Sequence, residues 1–234
     1  SISFKKRDKS SGWNTAFSVL ALLKIAKESG DIGYHDRAGF AALNSFISLS
    51  ENENNPQTLI IKQELLDIDF DVQESHGAKD YLMTDFYEGK LDNPESFFNS
   101  RYSLREFKDG KVHEGEIKRA VTLAMKTPSV CNRQAWHVYH SNQKSVVQKA
   151  LSFQQGNRGF GESVHDLMLI TTDLKAFVSG QERYQHWIDG GLFSMSVIYA
   201  LHSIGIASCC LNWSQSPAND QKLRACFDIQ PNNT

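Results

Sequence analysis

The sequence is organised around two polar clusters, Arg101–Phe107 (RYSLREF) and Pro128–Trp136 (PSVCNRQAW), which flank one helical pattern. The first cluster holds two guanidinium groups and a hydroxyl, and the planar fork of an arginine side chain suits the oxygens of a phosphate. The second cluster presents hydroxyl and amide groups, which can hydrogen-bond the edges of a planar heterocycle. Together the clusters predict a phosphorylated cofactor that carries a ring.

The segment between the clusters predicts an amphipathic helix. Ile117, Ala120 and Ala124 recur at helical spacing, and Val121 and Met125 widen the apolar stripe. Because the residue before a proline is pushed out of the helical region, the helix should end at the residue before Pro128. Residues 129–134 are therefore expected in a loop that projects polar groups from a rigid helix.

The rest of the chain predicts a mixture of helices and a few strands. Apolar periodicity and stop signals favour helices over 14–30, 36–49, 57–66, 187–204 and 217–227, and strands over 136–139, 164–171 and 206–211. The stretch 67–99 is expected to be an irregular linker with one helical piece near 81–87. The helix over 187–204 has almost no polar face, which predicts a core helix, a subunit interface or both.

Composition excludes several classes of partner. The chain has 234 residues, of which 40% are hydrophobic and 22% charged, as in an ordinary globular protein. A net charge of -2 favours neither nucleic acid nor an anionic membrane, and the short basic cluster at residues 5–9 is expected to be merely solvated. No apolar run approaches the roughly 20 residues that a membrane-spanning helix needs. The four cysteines show no pairing or zinc-ligand pattern, which predicts a cytoplasmic location and no metal site.

Motifs for covalent catalysis and for phosphate loops are missing from the sequence. Cys131 with His137 as its base is the weaker hypothesis, because a single cysteine near a single histidine is usually incidental. The glycine-rich segment 155–161, with Asn157 and Arg158, suits either a ligand loop or a bare surface turn. An enzyme with this inventory would need a cofactor to supply its reactivity.

From Asn99 to Asp228 the chain resembles the FMN-dependent nitroreductase family. The resemblance rests on the order and spacing of three motifs: Arg-x-Ser-x-Arg-x-Phe at 101–107, Pro-Ser-x-x-Asn-x-Gln-x-Trp at 128–136, and a late helix-strand unit from Asp189 to Asn212. It is similar to a branch with a Pro-Ser-Val-Cys-Asn-Arg-Gln loop, a Gly-Asn-Arg-Gly-Phe-Gly segment and a helical N-terminal extension.

The resemblance implies an α+β, nitroreductase-like fold: an antiparallel-dominated sheet wrapped by helices, with a helical N-terminal extension. Residues 1–95 would form the extension and residues 96–234 the FMN-binding domain, without the family's C-terminal strand and arm. The family further implies a homodimer with two FMN molecules at the interface.

The resemblance also assigns cofactor contacts. Arg101 and Ser103 would hold the FMN phosphate and ribityl chain, Tyr102 would add backbone contacts, and Arg105 would approach the pyrimidine edge of the flavin. Residues expected to reach the flavin bound mainly by the other subunit are Pro128, Ser129, Val130, Asn132 and Gln134. Asn157 or Arg158 would lie beside the pyrimidine or ribityl group, and those expected along the isoalloxazine are Cys210, Leu211 and Asn212.

The implied activity is electron transfer from NADH or NADPH, through FMN, to an electron-poor small molecule of the nitro, quinone or enone type. The cycle would be ping-pong and would need no side-chain acid or base. Other members of the fold act as dehalogenases, azoline dehydrogenases or flavin-fragmenting enzymes, and a non-enzymatic flavin-binding or regulatory module is a further alternative. Two residues depart from the family pattern: Ala135 replaces a proline, and Trp213 stands where glycine is frequent.

Overall fold

A computed structural model describes residues 11–73 and 81–234. The chain forms two units, Ser1–Lys90 and Leu91–Thr234. The basic cluster at residues 5–9 and part of the predicted linker, residues 74–80, lie outside the described residues. The expected division at residues 95 and 96 stays a prediction.

The first unit is helical where it is described. Its helices are α1 (Trp13–Ser29), α2 (Tyr34–Ile47), α3 (Pro56–Leu65) and α4 (Met83–Glu88). Gly30 ends α1 in a left-handed conformation (φ 70°), and this is the stop signal that the sequence predicts. Asn55 caps α3 through its side chain, with Pro56 at the first helical position.

The first unit has its own apolar core, formed by the inward faces of α1, α2 and α3. Leu23 and Ile61 are among its most deeply buried side chains. The indole of Trp13 meets the ring of Phe46 edge-on, with ring centroids 5.0 Å apart. Because the residues of this core come from within the first unit, the unit has the interior that an independent domain needs.

The second unit combines five helices with two strands in its described residues. The elements are α5 (Pro94–Asn99), α6 (Glu114–Ala124), β1 (Trp136–Ser141), α7 (Lys144–Ser152), β2 (Leu167–Thr172), α8 (Gln185–Ser203) and α9 (Pro217–Phe227). The strands pair antiparallel, from Trp136 opposite Thr172 to Ser141 opposite Leu167. This helix-rich arrangement around a small antiparallel sheet confirms the predicted α+β class.

Helices α6 and α8 cover the sheet and build the core of the second unit. Phe193, which is fully buried in α8, stacks on Trp136 of β1 with ring centroids 4.4 Å apart and an interplanar angle of 10°. Ile117 and Ala120 of α6 join the same core. The two helices run antiparallel, since the residues that follow α6 bond to the start of α8 and those that precede α6 bond to the segment after α8. The ends of this α6–α8 pair carry the candidate site.

Several sequence predictions need correction. The predicted strand over 206–211 is extended but forms only one bridge, Ser103 with Ser208, within the described residues. The strand predicted from residue 164 begins at Leu167, because residues 161–163 form a short 3₁₀ turn. The stretch 67–99 contains helix α5 as well as α4, and helix α7 is a further element that the sequence patterns did not predict. No helix in the described ranges carries an apolar stretch long enough to cross a bilayer.

Candidate functional site

The first polar cluster is fixed against the segment that follows α8. Ser103 bridges Ser208 in parallel orientation, and the Leu104 N–H donates to the Ser208 carbonyl at 3.2 Å. His202, near the end of α8, lies 3.0 Å from the Phe97 carbonyl oxygen through its Nε2. The backbone of residues 101–105 is therefore held at the end of the α6–α8 pair where α8 finishes.

The loop over 154–161 lies beside the first polar cluster and the segment that follows α8. The Gln154 side-chain amide donates to the Asn212 carbonyl at 2.9 Å, which ties the loop to the predicted isoalloxazine segment. The Arg105 guanidinium lies 6.0 Å from the centroid of the Phe160 ring. Three separate parts of the sequence predicted to contact a flavin thus converge at one place.

The arginines at this place have no acidic partners in the described structure, which favours the binding of an anion. No carboxylate of the described chain forms an ion pair with Arg101, Arg105 or Arg158. Within the described residues, the Arg105 guanidinium donates to the Ser103 carbonyl, at 3.4 Å. Guanidinium groups without acidic partners are suited to phosphate, which they can bind through paired hydrogen bonds.

The other residues predicted to contact FMN near the first cluster differ in their exposure to solvent. Tyr102, Cys210 and Asn212 are exposed, whereas Leu211 packs against the core that surrounds α7. The Asn157 amide nitrogen donates inside its own loop, to the Leu151 carbonyl at 2.8 Å and the Gln154 carbonyl at 2.7 Å. Asn157 therefore shapes the loop, and the exposed Arg158 is the side chain that this loop offers to solvent.

The second cluster is a loop with unusual backbone geometry. Helix α6 ends at Ala124, three residues before the end that the sequence predicts, and the Thr127 hydroxyl donates to the Ala124 carbonyl at 2.6 Å. Cys131, Asn132 and Gln134 have φ angles of 49°, 53° and 53°, in the left-handed region that residues with a Cβ seldom occupy. A conformation of this kind persists only where its surroundings fix it.

Some of the hydrogen bonds that hold this backbone conformation come from within the loop and from the end of α6. The Gln134 N–H donates to the Ser129 hydroxyl oxygen at 3.0 Å, and the Gln134 side-chain amide donates to the Met125 carbonyl at 3.2 Å. Two of the predicted flavin contacts are thus engaged in holding the loop. Asn132 and Pro128 are exposed, and Val130 is half-buried.

A second anchor is the ion pair between Arg133 and Glu182. Arg133 makes two bonds to the Glu182 carboxylate, at 2.6 and 3.2 Å, and a third to the Ala176 carbonyl at 2.8 Å. The hydrogen bond from Arg133, followed by one from the Val178 N–H, lowers the pKa of Glu182 below its usual value. Glu182 in turn raises the pKa of Arg133.

A third anchor is Asp189 in the first turns of α8. Its carboxylate accepts the Val130 N–H at 3.2 Å and the Gln185 side-chain amide at 2.8 Å. Sequence reasoning used Asp189 only as a family motif and gave Glu182 no role. The available signal was a carboxylate inside a helix of mostly apolar residues, since such a group must find hydrogen-bond donors when it is buried.

The remaining chemistry of the second cluster is limited. The exposed Cys131 has its Sγ 3.8 Å from an Arg133 nitrogen, and the hydrogen bonds of the described chain include none between Cys131 and His137. The hypothesis of a cysteine nucleophile with a histidine base therefore gains no geometric support. Among residues 11–73 and 81–234, no three side chains are grouped as ligands for a metal ion.

The two clusters occupy opposite ends of the α6–α8 pair. The first bonds to the segment after α8, and the second bonds to Asp189 near its beginning. At 1.5 Å per residue, the helix between these points is about 20 Å long. The chain therefore presents two separate candidate regions, which we name the cationic half-site (residues 101–105 with the loop over 154–161) and the amide half-site (residues 129–134).

The sequence can be compared with families of known proteins. Residues 99–186 match the model of the Nitroreductase family. The matched range contains both clusters and the loop over 154–161. No protein with a curated description matches the sequence.

Solved structures share the fold at low sequence identity. A provisionally named NADH dehydrogenase/NAD(P)H nitroreductase from Parabacteroides distasonis is 15% identical, with a TM-score of 0.53 over 61% of this chain and 82% of that one. An FMN-dependent nitroreductase from Clostridium difficile is 18% identical, with a TM-score of 0.51 over 60% and 81% of the two chains. A Nitroreductase family protein from Streptococcus pneumoniae is 17% identical, with a TM-score of 0.52 over 59% and 84%.

Proposed function

Starting from the match of residues 99–186 to the model of the Nitroreductase family, we propose that this protein is an FMN-dependent oxidoreductase. The observation that carries the proposal is the cationic half-site, where Arg101 and Arg105 lack carboxylate partners in the described structure and are held against the segment that leads to Asn212. These donors match an anionic phosphate and an adjoining ring with polar edges. The relative from Clostridium difficile, which is named as FMN-dependent, is consistent with that ligand.

When bound, FMN would supply the redox chemistry, taking two electrons from NADH or NADPH and passing them to an electron-poor acceptor in a ping-pong cycle. Arg101 and Ser103 would bind the phosphate and the ribityl chain, and Arg158 would lie beside them. Arg105 would face the pyrimidine edge, where its positive charge favours negative charge on the ring. The chain's own contribution is therefore binding, orientation and electrostatics.

The amide half-site would serve the flavin of a second copy. One protomer holds its half-sites at opposite ends of a helix pair, so a twofold partner can bring the residues 129–134 of one copy to the cationic half-site of the other. Helix α8 presents an apolar face that suits such a partner, with Trp187 64% and Ile188 52% exposed. An isologous interface along α8 would complete two equivalent flavin sites in a homodimer.

The test of flavin binding is the visible absorption of the purified protein and of two arginine variants. Arg101→Ala should raise the FMN dissociation constant about 10- to 150-fold, because a charge-assisted hydrogen bond contributes roughly 1.5 to 3 kcal/mol. The matched control is Arg119→Ala, which removes an exposed arginine of α6 that lies 3.9 Å from Glu116. Equal flavin content in the Arg101→Ala and wild-type proteins would contradict the assignment.

The electron donor is tested on the flavin-loaded protein under nitrogen. Either NADH or NADPH should bleach the flavin absorption, and a nitroaromatic compound or a quinone should restore it. Bound flavin that neither nucleotide bleaches would contradict the proposed donor and favour a non-enzymatic flavin-binding role.

A further inference from the structure

Asp189 is a carboxylate in a place where carboxylates are uncommon. It lies in helix α8, most of whose side chains are apolar, with only 1% of its surface exposed. No lysine, arginine or histidine of the described chain forms an ion pair with it. A buried carboxylate is stable only when hydrogen-bond donors replace the lost water, so the donors of Asp189 indicate its role.

Those donors connect α8 to the amide half-site. The Val130 N–H donates to one carboxylate oxygen at 3.2 Å, and the Gln185 amide donates to the other at 2.8 Å. Gln185 lies one helical turn before Asp189, so it orients the carboxylate from within the same helix. Among the hydrogen bonds of residues 11–73 and 81–234, the one from the Val130 N–H is consequently the contact through which Asp189 acts on the loop.

The bond falls where the loop needs support. Val130 immediately precedes Cys131 and Asn132, which both have left-handed backbone angles. Fixing the Val130 peptide unit determines how the chain enters this unfavourable stretch. On the far side of the stretch, the pair of Arg133 and Glu182 fixes its exit. Two of the three left-handed residues, Cys131 and Asn132, therefore lie between two anchors, of which Asp189 is the buried one.

We propose that Asp189 is a positioning residue, which holds residues 129–134 in the conformation that presents the Asn132 amide to the flavin. The inference rests on the proposed function for its ligand, and on the hydrogen bond to Val130 for its mechanism. Because only 1% of its surface is exposed, Asp189 would act through the loop rather than by contact with cofactor or substrate. Its removal should loosen the loop first and weaken flavin binding as a result.

The test compares Asp189→Leu with Asp189→Asn by two readouts. Leucine has the same branched shape, with methyl groups in place of the carboxylate oxygens, and no acceptor, whereas asparagine keeps an oxygen for the Val130 N–H and can exchange amide roles with Gln185. In the protein without flavin, Asp189→Leu should speed amide hydrogen exchange at residues 130–134 at least tenfold, and it should raise the FMN dissociation constant at least tenfold. Asp189→Asn should restore both values to within threefold of the wild type.

The matched control is Asp166→Asn. Asp166 also binds a backbone N–H, that of Val112 at 2.9 Å, but outside the loop. This variant should leave exchange at residues 130–134 unchanged. If Asp189→Leu does not fold, Gln185→Leu decides the matter, because loss of the orienting amide should speed exchange at the same residues.

The outcomes separate this inference from the proposed function. Unchanged exchange in Asp189→Leu, or in Gln185→Leu where the first does not fold, would overturn the positioning role even if the protein binds FMN. Equal losses in Asp189→Asn and Asp189→Leu would overturn it as well, since the shared hydrogen bond could not be the cause. Faster exchange in a protein whose wild type takes up no FMN would support the anchor and overturn the assigned ligand.

Discussion

At the scale of single residues, the pair of Arg133 and Glu182 links the amide half-site to the segment between β2 and α8. Both side chains are about three-quarters shielded from solvent, and Glu182 also accepts the Val178 N–H at 2.7 Å. A bidentate contact of this kind is more restrictive than an exposed ion pair, because it fixes both side chains in one geometry. The segment around residue 178 and the loop should therefore move together.

Replacement of Glu182 should reveal a pH-dependent contribution to stability. Because Arg133 and the Val178 N–H lower the pKa of Glu182, the carboxylate stabilises the fold above its ordinary pKa, and this contribution is lost as the pH falls through the lowered value. Glu182→Gln should therefore lower the melting temperature at about pH 7, and the difference from the wild type should shrink below about pH 4.

The measurement is thermal unfolding followed by circular dichroism across that pH range. Glu162→Gln is the control, since Glu162 is exposed and forms no ion pair in the described residues. A difference between Glu182→Gln and the wild type that stays constant from neutral to acidic pH would show that the ionised pair contributes nothing.

At the scale of elements, the loop over 154–161 depends on close packing between Asn157 and Gly161. A Cβ added to Gly161 would lie 2.5 Å from the Asn157 Oδ1, which is closer than packed atoms allow. Asn157 cannot easily turn away, because its amide nitrogen bonds to the carbonyls of Leu151 and Gln154. The glycine is thus required by space rather than by its backbone angles.

Gly161→Ala should consequently destabilise the protein by about 1 to 3 kcal/mol, the usual range for overpacking. Asn157→Ala should destabilise it separately, through the lost hydrogen bonds. The double variant should be more stable than the sum of the two effects implies, by about 1 kcal/mol, because the clash requires both side chains. Urea denaturation of the four proteins measures this coupling, and strict additivity would contradict it.

The elements also show what local sequence can and cannot predict. Helix α6 and its end before Pro128 were predictable, because apolar spacing and the effect of proline act within a few residues. Helix α7 was not predicted, since a nine-residue helix has little stability alone and Val147 and Leu151 are buried in a core that they share with Phe160 and Val164. The run over 206–211 has strand character but a single bridge to any part of the chain that the structure describes, because its pairing depends on Ser103, far away in sequence.

In the candidate site, too, local sequence predicted some features, whereas others depend on contacts between distant parts of the chain. The types of residue in each cluster indicated a phosphate and a polar ring, whereas the anchors of the amide half-site were not predictable. Arg133 meets Glu182 across 49 positions of sequence, and Val130 meets Asp189 across 59. Pairing over such distances is decided by the packing of α6 on α8, which no local pattern encodes. The cofactor contacts carried over from the family stay predictions.

At the scale of the whole molecule, the proposed homodimer depends on the exposed apolar face of α8. Ile188→Glu should weaken dimerisation at least 30-fold, because the twofold axis places the new charge in the interface twice and a buried unpaired charge costs about 2 kcal/mol or more. Flavin content should fall in parallel, since each site would lose the loop of the partner. Sedimentation velocity over a range of concentrations, combined with flavin absorption, measures both effects.

The control for that substitution is Leu59→Glu, which changes an exposed leucine of α3 in the first unit. It should leave both the association state and the flavin content unchanged. A dimer that persists in Ile188→Glu with full flavin would exclude α8 as the interface.

The placement of the half-sites at opposite ends of the α6–α8 pair has a genetic consequence for the proposed dimer. Harmful alleles would fall into two classes, one damaging the cationic half-site and one damaging the amide loop. A mixed dimer with one subunit of each class would combine the intact arginines of the second subunit with the intact loop of the first, and so regain one working site of two. Two defective genes could thus complement each other within a single protein assembly, whereas two alleles of the same class could not.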